Sequence, residues 1–145
     1  MSLPPEKVAD LRLKHLEMIQ AIISRIANNG AAIKNYCITI TTAVCGFALT
    51  LQRPAIGALA LLPILAFALL DAQYLRLERR FRCLFDNARK EEWSAPPTFA
   101  IDLTTAPAIS LWSAIKAWPI IGFYGTIAGS LALFMFVAKA VYGRF

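Results

Sequence analysis

Residues 54–70 read PAIGALALLPILAFALL, from Pro54 to Leu70, with no Asp, Glu, Lys, Arg or His. A similar uncharged run covers 36–52 and another covers 118–138. The first charges after the three runs, in chain order, are Arg53, Asp71 and Lys139. Crossing a bilayer takes about 20 apolar residues, with a lower limit near 17. The two shorter runs meet that limit by tilting or extending at their ends. The hydrophobic share of 58% in 145 residues leaves too little polar surface to cover three buried core helices in water. The reading is therefore an all-α integral membrane protein. It has three transmembrane helices, an amphipathic N-terminal helix and a cytoplasmic extension of the second span. A chain this short is one structural unit.

Charge sets the expected orientation. Lys7, Arg12, Lys14, Arg25 and Lys34 precede the first span, and seven more basic residues lie between the second and third spans. Only Arg53, Lys139 and Arg144 fall on the other side. Basic residues next to spans stay cytoplasmic. The expectation is a multi-pass protein of a bacterial inner membrane, with the N-terminus cytoplasmic and the C-terminus outside. The net charge of +6 then reflects orientation and anionic lipid, with no nucleic-acid partner expected.

Outside the spans, 6–29 and 71–92 are helical by pattern. Pro4 and Pro5 suit a first turn. Val8, Leu11, His15, Met18 and Ile22 repeat at spacings of three and four, and Leu16, Ile19, Ile23 and Ile26 widen the stripe. Asn28-Asn29-Gly30 reads as a helix stop or hinge. This arm is open to three arrangements: on the inner leaflet, against a neighbouring helix, or in a coiled coil between subunits. Beyond Leu70, the residues Tyr74, Leu77, Phe81 and Leu84 form one stripe, so the second span is expected to continue about 30 Å into the cytoplasm. Met18, Ile22, Tyr74, Leu77, Phe81 and Leu84 are the expected interface between the two cytoplasmic helices. Lys34, Asp71 and Arg76 are the expected membrane-interface charges, with Lys34 snorkelling and Asp71 structural.

Within the spans, small and hydroxylated residues mark faces. Thr42, Gly46 and Thr50 fall at i, i+4 and i+8, with Thr39 nearby. Close packing, with hydroxyls bonded to their own backbone, is the favoured reading of this face; a weakly polar pore face is the other. Gly122, Gly125, Thr126, Gly129 and Ser130 form a second small face that includes a Gly-x-x-x-Gly motif, read as helix packing. The short stretch Leu51–Pro54 makes spans one and two an antiparallel hairpin. Pro63 predicts a kink inside span two. Residues 108–117 are expected to form an interfacial helix after an extended stretch between prolines, with Trp112 and Trp118 at headgroup depth.

The sequence lacks a phosphate loop, a metal-ligand cluster and a nucleophile–base arrangement. No catalytic residue, metal or cofactor is assigned, and an enzyme is not expected. Cys37 and Cys45 lie about 12 Å apart along one helix and cannot bridge within it. His15, the single histidine, reads as packed.

Two segments carry a resemblance. Glu17-Met18-Ile19-Gln20 with Ile22-Ile23-Ser24-Arg25-Ile26-Ala27-Asn28-Asn29, and Asp71-Ala72-Gln73-Tyr74-Leu75-Arg76-Leu77-Glu78-Arg79-Arg80-Phe81-Arg82, resemble helices of small uncharacterised bacterial multi-span membrane proteins. The membrane hairpin with a long cytoplasmic helix also resembles SLATT-type effectors of bacterial conflict systems, to which span three is an addition. That resemblance implies a pore-forming or membrane-depolarising effector in defence, and since three spans cannot enclose a water-filled path alone, a homo-oligomer is expected. The alternative is a non-conducting anchor whose cytoplasmic helices bind a soluble partner.

Overall fold

The computed structural model describes residues 3–142. Arg144, counted above among the charges of the sparse side, lies outside them. The described chain is helical and has no strand. Helix α1 runs unbroken from Pro5 to Thr50, a 3₁₀ helix from Pro54 to Ala60 leads into α2 at Leu61–Lys90, and a connector holds a second 3₁₀ turn at Leu103–Thr105. A short α3 covers Leu111–Ile115, and α4 covers Trp118–Tyr142. Three stretches are long and apolar enough to cross a membrane: Pro5–Thr50, Pro54–Lys90 and Trp118–Tyr142.

The expected stop at Asn28-Asn29-Gly30 is absent. With 46 residues, α1 is about 69 Å long at the standard rise. One seam explains its continuity. Val8, Arg12, His15, Ile19, Ile23, Ile26, Gly30, Ile33, Cys37 and Thr41 are all buried at spacings of three and four. Gly30 sits on this seam within the helix, and no glycine among the described residues has a positive φ. Asn28 and Asn29 point outward. A glycine inside a helix costs about 1 kcal/mol, and burial of the seam on both sides outweighs it.

The turn after α1 is tight. Arg53 donates its backbone N–H to Ala48 O at 3.0 Å, and Gln52 takes φ 54°, the left-handed conformation that closes a helix end. The chain then reverses. Pro63 does not kink the middle of a span. It lies in the first turn of α2, just past the 3₁₀ segment, where fewer intrahelical partners are lost. The 3₁₀ segment also rises about 2 Å per residue. Residues 54–70 therefore extend about 29 Å, enough for a bilayer core.

Two cores follow. In the apolar half, Cys37, Ala60, Ile64, Ile120, Tyr124 and Leu131 are buried together, joining α1, α2 and α4. In the charged half, Ile19, Ile23 and Ile26 of α1 are buried against Phe81, Leu84 and Ala88 of α2. Leu103 of the connector packs on this second core. Around the apolar half, Phe47, Leu62, Leu133 and Phe136 are exposed. That much outward apolar surface suits a hydrocarbon surrounding. The helix expected over 108–117 is shorter, Leu111–Ile115, because Pro107 and the extended residues after it delay its start.

Candidate functional site

The most polar point near the apolar half lies where α1, α2 and α4 meet. Lys34 Nζ donates to Asp71 Oδ2 at 2.5 Å. The Asp71 side chain is only 4% exposed, against 26% for Lys34. The two residues expected as separate interface charges thus form one ion pair between helices, with Asp71 buried and Lys34 half-buried. Lys34 also lies 5.8 Å from the Phe123 ring centre, a cation–π arrangement supplied by α4. Gly30 completes the wall, since a Cβ there would stand 3.3 Å from Asp71 Oδ1. Tyr124 is buried beside these groups and its hydroxyl has no hydrogen-bond partner. Tyr124 lies six residues, about 9 Å, further along α4 than Trp118, which is 83% exposed.

Such a pair is a lock more than a catalyst. Taking both charges out of water is expensive, and mutual attraction offsets this only when geometry is good. Loss of one partner leaves a lone buried charge. Among the described residues, no three His, Cys, Asp or Glu side chains group as metal ligands.

The third expected interface charge, Arg76, has a different task. Its Nε donates to Ile109 O at 2.8 Å and its Nη1 to Gln73 Oε1 at 2.8 Å. Arg80 Nη2 donates to Leu103 O at 2.6 Å. On α1, Arg12 Nε donates to Ala95 O at 3.0 Å and Nη1 to Glu91 at 2.7 Å. Three arginines therefore hold the connector by its carbonyls over the charged half. Phe99, at φ 56°, packs edge-on against His15 at 5.5 Å. Arg12, Arg80, Tyr124 and Gly30 were not singled out as site residues by sequence reasoning. Only Arg12 carried a local signal, its place on the apolar stripe between Val8 and His15.

In the charged half, Tyr74, Leu77, Phe81 and Leu84 all pack toward α1, and Ile22 joins them. Met18 does not: it is 46% exposed, because the buried seam steps from His15 to Ile19. On the spans, Thr39 and Thr50 bond to their own helix at Asn35 O and Gly46 O, and Thr126 does so at Gly122 O. Gly46, Gly125 and Gly129 have nothing within 4 Å of an added Cβ. At these three glycines the small faces thus point away from the chain's own bundle, while Gly122 meets the Trp118 ring one turn earlier on the same helix. Thr42 and Ser130 are brought together across an open cleft of about 290 Å³ between α1 and α4. Thr41 also lines it, and its buried hydroxyl has no partner.

The chain matches no family model, no curated protein and no solved structure.

Proposed function

We propose that the protein is a self-associating membrane protein whose assembled form lets ions leak across a bacterial inner membrane, as a depolarising effector of a defence system would. The observation that carries this reading is the outward placement of Gly46, Thr50, Gly125 and Gly129. Small faces allow helices of different copies to approach closely. Hydroxyls such as Thr42 and Ser130, already facing a cleft, offer a weakly polar lining once copies assemble.

A single chain leaves no room for a water-filled path. Cys37, Ile64, Tyr124 and Leu131 fill the space between its three apolar helices. Conduction therefore depends on more than one copy. The charge distribution supports an N-terminus in the cytoplasm and a C-terminus outside. The charged half would then form a cytoplasmic layer able to receive a signal.

The scaffold reading has less support. Its docking stripe at Tyr74, Leu77, Phe81 and Leu84 is occupied by α1 of the same chain. A soluble partner would have to displace α1 or bind elsewhere. Purified protein in liposomes tests the main reading. A dye or potassium leak that rises with oligomer content is expected. A confirmed oligomer that leaves the vesicles tight under every activating condition overturns it.

A further inference from the structure

Gln73, Arg76, Leu77 and Arg80 line an open cavity of about 300 Å³ on α2, beside the connector. We infer that this cavity is a binding site for a phosphate group, held by the paired guanidinium groups of Arg76 and Arg80. Four residues apart, the two side chains are neighbours on one helix face. Neither has a carboxylate partner among the described residues, where Arg12, Lys34, Arg82 and Arg89 take the ion pairs. Both are instead anchored by carbonyls, at Ile109 and Leu103. Those neutral contacts fix the two groups in place and leave their charges uncompensated. Arg80 Nε is moreover buried with no hydrogen-bond partner. A planar guanidinium with donors to spare matches phosphate oxygens better than any other common anion except a carboxylate.

The position of the cavity decides what brings the phosphate. Asp71 ends the apolar run, so Arg76 stands about 7.5 Å and Arg80 about 13.5 Å further along α2. Helical side chains lean toward the N-terminus, here back toward the apolar half. The headgroup layer is about 5–8 Å deep on each side of a bilayer. Arg76 therefore stands within the layer of lipid phosphates, and Arg80 leans back toward its outer edge. Trp112 of α3, which packs on α2 close by, is 71% exposed, as an aromatic at that depth would be. Phosphate free in solution offers the same chemistry, and the test separates the two. The site rests on the reading of the apolar half as membrane-embedded. Failure of that reading appears first, as protein that does not enter nanodiscs.

Protein in phosphatidylcholine nanodiscs is titrated with phosphatidylglycerol and, separately, with inorganic phosphate, and retained lipid is counted by native mass spectrometry. The expected result is one phosphatidylglycerol per chain, preferred over phosphatidylcholine by roughly tenfold or more. The double substitution Arg76→Gln with Arg80→Gln removes the preference, and Arg82→Gln, at an exposed pair with Glu78, keeps it. Saturable binding of inorganic phosphate that these substitutions abolish, without lipid preference, keeps the site and assigns it to soluble phosphate. Because the double variant can loosen the connector, wild-type protein carries a separate readout. Phosphatidylglycerol or phosphate should slow hydrogen exchange at 103–110. Lipid preference unchanged in the double variant, or no binding of either phosphate source with no change in exchange, overturns the site.

Discussion

Lys34 and Asp71, 37 positions apart in the chain, form an ion pair at 2.5 Å between α1 and α2. It stands at the level where the apolar half gives way to the charged half. Asp71 is almost completely enclosed, so its charge depends on Lys34 far more than on solvent. Removing one member of such a pair costs about 3–5 kcal/mol, while replacing both with apolar residues is often neutral. Asp71→Leu and Lys34→Met should each lower thermal stability in detergent strongly, and the double variant should regain most of the loss. Equal, additive losses would show that the pair is not coupled.

Gly30 faces the same carboxylate. Adding a methyl there improves helix propensity by about 1 kcal/mol but places a carbon 3.3 Å from Asp71 Oδ1. A larger side chain has no such compromise. Gly30→Val should destabilise by about 1–3 kcal/mol, the usual range for overpacking. Unfolding measured alone and in the Asp71→Leu background should show that the penalty shrinks once the carboxylate is gone.

Gly129 makes the opposite prediction. An added Cβ meets nothing within 4 Å, so Gly129→Leu should leave the folded single chain intact. If this face joins copies, the substitution lowers oligomer size in native mass spectrometry and reduces vesicle leak together. An unchanged oligomer would remove that role from the α4 face.

Phe81 is buried between α1 and α2 with Ile19, Ile23 and Ile26. Phe81→Glu removes that packing, worth about 3–5 kcal/mol for a buried aromatic, and adds an unpaired charge. Cysteines introduced at Ile22 and Leu77 should crosslink less efficiently in this variant. Persistence of the crosslink would mean the charged half is held chiefly by the arginine contacts to the connector.

Asp102 accepts from the Thr104 amide at 2.8 Å and from the Thr104 hydroxyl at 2.7 Å. The Thr104 hydroxyl, then its amide, hold the Asp102 carboxyl below its ordinary value. A depressed carboxylate stabilises the folded turn fully above the ordinary value, and the contribution is lost as pH falls through the lower folded value. The protection factor of the Thr104 amide, its exchange rate measured against the intrinsic rate at each pH, should therefore fall in acid. Asp102→Asn should weaken the pH dependence across that window, because the titrating group is gone.

The resulting picture divides cleanly by the range of the forces involved. The sequence by itself determined the helical class, the three apolar stretches and the stripe at Tyr74, Leu77, Phe81 and Leu84, because periodicity and the absence of charge act within a few turns. It could not decide the fate of Gly30. Local propensity favours an end there, whereas burial against Asp71, far along the chain, keeps the helix intact. Met18 and Ile19 belonged to overlapping stripes, and only packing against α2 chose Ile19. Likewise, basic residues look alike in a composition count. Tertiary structure alone made Lys34 half of an ion pair and set Arg12, Arg76 and Arg80 on connector carbonyls 23 to 83 residues away. Those roles depend on which backbone oxygens and carboxylates a side chain meets in space, and sequence distance carries no record of that.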